Sequence, residues 1–235
     1  MTSRYPATLT RTACLAVAAT LSLGAIACGS DEDEQGSASG GAGKSAKAVE
    51  KAFLTGMVHH HETALEMAGI AKQRGKDPFI TGLAGDIVGT QEREISTMKM
   101  LYGRLLGGKL EPDPGAHDGL GLSATEAGMT HDGQTNVKLR AAKPFDRAFV
   151  DEMVPHHEGA IEMANVVLKS TEDAELRALA EGIVSTQKRE VKEMSSFRSK
   201  SFGGPVPEDA GHGGGKSPHE DTPAKKGEHG AGHPG

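Results

Sequence analysis

The feature that most limits how this chain can fold is an internal duplication. Residues 53–98 align with residues 149–194 at a constant offset of 96, without a gap, and 20 of the 46 aligned positions are identical. The run Phe53-Leu54-Thr55-Gly56-Met57-Val58-His59-His60-His61-Glu62 returns as Phe149-Val150-Asp151-Glu152-Met153-Val154-Pro155-His156-His157-Glu158. Thr90-Gln91, Arg93-Glu94 and Met98 return as Thr186-Gln187, Arg189-Glu190 and Met194. A repeat of this kind means one structural unit used twice, each copy covering the other's apolar face.

Each copy reads as two helices. The first runs from about Ser45 to Arg74, with Gly75 suited to its C-terminal cap. Asp77-Pro78 then supplies an N-cap and a first-turn proline for a second helix reaching about Leu101. In the second copy Pro144 opens a helix to about Lys169, and Ser170 or Thr171 is placed to cap the next one ahead of Glu172 and Asp173. Four amphipathic helices joined by short hairpin loops predict an all-α fold: an antiparallel, ferritin-like four-helix bundle. The repeat units are 45–102 and 143–200, and the Gly-rich connection 103–142 between them is a crossover or a lid.

Helical spacing fixes which way the repeated motif faces. At about 100° per residue, Phe53, His60, His61, Ala64, Met67, Ala68 and Ala71 fall within about 80° of Met57, while Glu62 and Glu66 lie on the far side. Met153, His156, His157, Ala160, Met163 and Val167 behave alike. The second helices carry matching stripes: Leu83, Ile87, Gln91, Glu94 and Met98, then Leu179, Ile183, Gln187, Glu190 and Met194. Burying a carboxylate is costly unless it is paired. Glu94 and Glu190, with Gln91 and Gln187, are therefore placed to orient histidines from facing helices. Pro155 falls inside its helix, where it removes a backbone hydrogen bond to residue 151 and predicts a kink.

The termini read differently. Arg4 and Arg11 precede an uncharged apolar run, Ala13–Ala27, too short to span a bilayer and suited to a secretory signal. It ends Leu23-Gly24-Ala25-Ile26-Ala27-Cys28, similar to a bacterial lipobox. The expectation is a lipoprotein signal peptide over 1–27, lipidation of Cys28, and a protein lipid-anchored on the outer face of the cytoplasmic membrane; ordinary cleavage near Ala27 is the alternative. Removing 1–27 takes two arginines and moves the net charge from −6 to −8. It also removes Cys14, so no free thiol or disulfide remains. Residues 28–44 read as a flexible tether and 201–235 as a disordered tail holding His212, His219, His229 and His233. The acidic balance excludes nucleic acid as a partner.

These residues resemble a known family. The blocks F-x-x-x-M-V-x-H-H-E-x-A-x-E-M-A and T-Q-x-R-E-[IV]-x-x-M are similar to those of the bacterial family called domain of unknown function 305, over about residues 45–200. The resemblance implies an exported, ferritin-like bundle, copper-associated in several members. It implies Met57, His60, His61, Met67, Met153, His156, His157 and Met163 as metal ligands. This chain departs from the pattern at His59, where relatives often carry proline, and in having a single methionine, Met129, in the connecting loop.

Ligand chemistry points the same way. Imidazole and thioether without thiolate favour copper, with methionine selecting Cu(I); zinc held by His and Glu is the alternative. Met129, His131 and the tail histidines are candidates for outer sites. A di-iron centre requires Glu-x-x-His on a helix, and no helix of the repeat has it. The expectation is a metal-binding lipoprotein for sequestration or delivery, with no catalytic residues. The competing readings are a scaffold whose Glu-His-Gln network only fixes packing, and a metalloenzyme. Neither a Ser/His/Asp order nor a phosphate loop supports the last.

Overall fold

The computed structural model describes residues 44–130 and 133–207. The expected signal peptide over 1–27, Cys28, nearly all of the expected tether over 28–44, His131 and the tail histidines lie outside the described residues.

Four long helices form the bundle: α1 (Ala46–Arg74), α2 (Pro78–Leu106), α5 (Phe145–Leu168) and α6 (Ala174–Phe202). Two short ones, α3 (His117–Leu120) and α4 (Gly133–Ala141), lie in the connection between the repeats. The caps show why the helices begin where they do. Ser45 Oγ accepts from Ala48 N, Asp77 from Phe79 N and Asp173 from Leu176 N, each satisfying an amide that the first turn leaves open. The cap of α6 is thus Asp173, not Ser170 or Thr171; Thr171 instead donates its hydroxyl to buried Glu50 at the start of α1, 2.7 Å away. Helix α2 continues to Leu106 and α6 to Phe202, beyond the sequence-based limits. Helix α5 runs as one helix through Pro155.

Contacts at the ends give the topology. The Asp146 carboxylate, in the first turn of α5, accepts from Lys76 N (2.9 Å) and Asp77 N (2.8 Å) in the α1–α2 turn. At the other end Arg104 of α2 holds Asp173 with two bonds of 2.8 and 2.7 Å. Helix α1 packs on α2 and on α5, and α6 packs on α5 and α2. Each neighbour runs antiparallel, so α2 and α5 run the same way and the connection must travel the length of the bundle.

The connection is folded, not a bare loop. Asp113 N donates to the Thr55 carbonyl, the Lys44 ammonium bonds the Asp118 carbonyl, and α3 and α4 both touch α1 and α5. Its closest approach is to α5. A Cβ on Gly159 would lie 2.2 Å from the backbone of Ala127 and Gly128, and one on Gly128 would lie 2.9 Å from the His156 carbonyl. Only glycine at both positions lets the two backbones meet. Met129, expected as an outer ligand, is instead half-buried against the core.

The apolar core is divided in two. One cluster joins the first half of α1 and the second half of α5, with Met57, Met98 and Met163. The other joins the second half of α1 and the first half of α5, with Met67, Met153 and Met194. Between them lies a polar layer. Of the α6 stripe, Leu179 is only half-buried, and Leu176 and Ala180 fill the core there.

Candidate metal centre

The layer is built from the duplicated motif. His60 and His61 on α1, and His156 and His157 on α5, are each no more than 1% exposed, and Met57, Met67, Met153 and Met163 are fully buried. Helical spacing puts all of them inward, because a side chain three, four or seven residues from another shares its face.

The four imidazoles form a row. The ring centroids of His60 and His156 are 3.7 Å apart across the α1–α5 interface. His61 stands 6.3 Å from His60, and His157 stands 6.4 Å from His156. The two motifs therefore meet in one continuous layer.

Each outer histidine is held by the second helix of its own hairpin. His61 Nε2 lies 2.8 Å from Glu94 Oε2, and His157 Nε2 lies 2.9 Å from Glu190 Oε2. With an ionised carboxylate the Nε2–H donates, which fixes the tautomer and leaves Nδ1 as a lone-pair donor. Those Nδ1 atoms of His61 and His157 are buried and find no hydrogen-bond partner among the described residues. The same is true of the Gln91 side-chain oxygen and of both polar atoms of the Gln187 amide. Buried polar atoms of this kind ordinarily have a partner, so such a cluster marks a place where a ligand or water belongs. The two halves differ in exposure: the Glu94 side chain is 13% exposed and that of Glu190 only 3%.

The donor set fits a soft ion better than a hard one. Among the described residues no three His, Cys, Asp or Glu side chains converge to hold a metal. The layer offers imidazole nitrogen and the flanking clusters hold methionine sulfur, donor types that suit Cu(I) and related d¹⁰ ions. Of the residues expected from the sequence, the four histidines, Gln91, Glu94, Gln187 and Glu190 form the layer. The four methionines lie in the two apolar clusters beside it, Met57 with Met163 and Met67 with Met153.

These features define an all-α antiparallel bundle made from a duplicated helical hairpin with a polar middle layer. Residues 50–198 match the family described as Domain of unknown function (DUF305), and the chain belongs to it. Among solved structures it is similar to CopM in the Cu(I)-bound form, 30% identical with a TM-score of 0.55 over 66% of this chain and 98% of that one. CopM is also known in Cu(II)-bound and Ag-bound forms. A DUF305 fragment from Deinococcus radiodurans is 27% identical, with a TM-score of 0.55 over 65% of this chain and 96% of that one. A curated relative, uncharacterized protein L153 of Acanthamoeba polyphaga mimivirus, is 35% identical over 52 residues, 22% of this chain; the match spans about a third of that relative's length.

Proposed function

We propose that this protein binds a soft metal ion, copper foremost, in the middle layer of its bundle and serves to sequester or deliver it, without catalysing a reaction. The observation that carries the reading is the pair of buried Nδ1 atoms on His61 and His157, each aimed by a carboxylate on Nε2 and each without a hydrogen-bond partner among the described residues. Methionine thioethers on both sides of the layer add the sulfur that favours Cu(I) over zinc. The likeness to CopM, whose structures hold Cu(I), Cu(II) and silver, supports the choice of metal. The contact between His60 and His156 brings the two motifs into one layer, which supports reading them together.

The same reading places the protein outside the cytoplasmic membrane, lipid-anchored at Cys28. Its support is the charged, apolar and lipobox-like order of residues 4–28. No helix among the described residues is long and apolar enough to cross a membrane.

Isothermal titration with Cu(I) and with Cu(II) tests the binding. Binding tighter than micromolar that disappears when His60, His61, His156 and His157 are all replaced by alanine is the expected result. Unchanged binding in that variant, or none in the unaltered protein, overturns it. One competing reading has its own observation: the matched His61–Glu94 and His157–Glu190 bonds would fix helix register with no ion present. Under it the same variant loses thermal stability equally with and without metal.

A further inference from the structure

The row of imidazoles has two ends, and they are not alike. At one end Glu94 holds His61; at the other Glu190 holds His157. Over the middle the connection closes tightly, since a Cβ on Gly128 would lie 2.9 Å from the His156 carbonyl. The Glu94 side chain is 13% exposed and that of Glu190 3%, so the two carboxylates bonded to the layer differ in their access to water.

The cause lies about one turn further along each second helix. In the second copy Arg189 Nη2 lies 3.6 Å from Glu190 Oε1, and Glu193 keeps the guanidinium there with its Oε1 3.4 Å from Arg189 Nη1. Arg93 is the counterpart of Arg189 at the offset of 96, but Thr97 stands where the second copy has Glu193. With no carboxylate at 97, Arg93 donates to the Thr90 hydroxyl instead, and the Thr97 hydroxyl donates to the Arg93 carbonyl. Among the described residues no hydrogen bond or ion pair reaches Glu94 Oε1.

That difference sets what must break to uncover each outer histidine. Glu94 both bonds to His61 Nε2 and reaches the surface, so a single side chain separates this end of the layer from solvent. Swinging it outward breaks one hydrogen bond to the layer. Glu190 can swing only if Arg189 lets go as well. An exposed Arg–Glu contact is weak alone, but here two carboxylates share one guanidinium.

We propose that ions enter and leave the layer at its His61 end, as Glu94 swings aside, and that the Arg189–Glu193 pair keeps the His157 end shut. The open Oε1 of Glu94 gives an arriving cation its first contact, whereas Glu190 Oε1 is already met by Arg189. This inference rests on the metal-binding reading above and adds which end exchanges.

The test uses Ag(I), a stable stand-in for Cu(I), and the full chain in stopped flow. Uptake and release into excess chelator are timed, and the amount bound at equilibrium is measured separately. Thr97→Glu supplies the missing carboxylate and should draw Arg93 over Glu94. Uptake and release are both expected to slow by about two- to fivefold, the range an exposed ion pair supplies, with the bound amount unchanged. Slowing in equal proportion marks a gate, because a barrier crossed in both directions leaves the equilibrium alone. The added charge acting only by attraction would quicken uptake and slow release. The reciprocal Glu193→Thr frees Arg189 and is expected to quicken both rates. Rates that move in opposite directions, or a folded Thr97→Glu variant that exchanges like the unaltered protein, overturn the route while the centre stands. Glu193→Thr, at a side chain 42% exposed, keeps the test decisive if Thr97→Glu disturbs folding, since unchanged rates there overturn the shut end. An unaltered protein that binds no Ag(I) overturns the centre and the route together.

Discussion

The rings of His60 and His156 lie 3.7 Å apart, and that contact joins the two hairpins of the bundle at their common midpoint. Their chain neighbours, His61 and His157, are pinned by carboxylates from within each hairpin. The layer therefore ties two registers together, that of each hairpin and that between hairpins. Sliding α1 against α5 by one turn, about 5.4 Å, would part the rings and press imidazole into the Met- and Phe-containing clusters on either side. Burying a polar group against apolar side chains without a partner is unfavourable. The layer thus selects one alignment out of several that the apolar stripes alone would accept.

The carboxylate pins differ in worth. Glu190→Ala leaves a fully buried imidazole without its acceptor and is expected to cost about 1.5–3 kcal/mol, the range for a hydrogen bond to a charged group. Glu94→Ala should cost less, because water reaches the 13% of that side chain left exposed and can replace the lost oxygen. Urea unfolding of the two variants in metal-free buffer measures the order; the reverse order would contradict the burial argument.

Glycine positions separate close packing from spare room. Gly159→Ala would drive a methyl group to 2.2 Å from the backbone of Ala127 and Gly128, so the connection must lift from α5. The expected outcome is a loss of roughly 1–3 kcal/mol and faster proteolysis within residues 123–130. Gly182, inside α6, has nothing within 4 Å of the added carbon. Gly182→Ala should stabilise the protein by about 0.4–1 kcal/mol through the unfolded chain's lost freedom. Thermal melts and limited proteolysis of the pair check both signs.

How much of this was legible in the sequence follows from what each feature depends on. The inward faces of Met57, His60, His61 and their twins depend only on helical period, and they sit as that period requires. The Glu94 and Glu190 pairings follow from the cost of burying a carboxylate alone. The cap of α6 was also written in the repeat, since Asp173 is the partner of Asp77 at the offset of 96. Local preference for Ser and Thr points two or three residues too early. The matching turns after α2 and α6, at Gly107-Gly108 and Gly203-Gly204, lie in stretches that share few side chains beyond the glycines, so identity alone hides them. Helices α3 and α4 are four and nine residues long. Helices so short are not stable alone and form where docking on α1 and α5 supports them. The direct His60–His156 contact depends on how α1 meets α5, which no local pattern encodes.

Acid should loosen the α2–α6 end of the bundle. The Arg104 guanidinium bonding the Asp173 carboxylate, with the amide of Leu176 adding to it, holds that carboxyl down to about 2. A carboxyl depressed on folding contributes stability that is fully present above its unfolded value of about 3.9 and is lost as the pH falls toward 2. Asp173→Asn keeps a capping oxygen but removes the charge. Its melting temperature should fall less between pH 5 and 2, roughly, than that of the unaltered protein. The difference is modest, because the Arg104 side chain is 43% exposed and water screens the pair. Parallel slopes for the two proteins would show that the pair adds nothing.

Sulfur decides between the metal readings. Met57 and Met153 are fully buried, one helical turn before each His-His pair. Met→Leu is close to volume-conserving and should cost under about 1.5 kcal/mol of stability at either site. A double Met57→Leu, Met153→Leu variant should therefore stay folded with its imidazoles in place. If thioether sulfur completes the coordination, that variant should lose Cu(I) and Ag(I) affinity by about tenfold or more, equivalent to about 1.4 kcal/mol. Cu(II) and Zn(II), which imidazole serves well without sulfur, should be held nearly as before. Competition titrations with all four ions on one preparation separate the cases. Equal weakening for every ion would mean that the substitutions only loosen the layer. No weakening for Cu(I) would place the methionines in the core as packing and leave the histidines alone to bind.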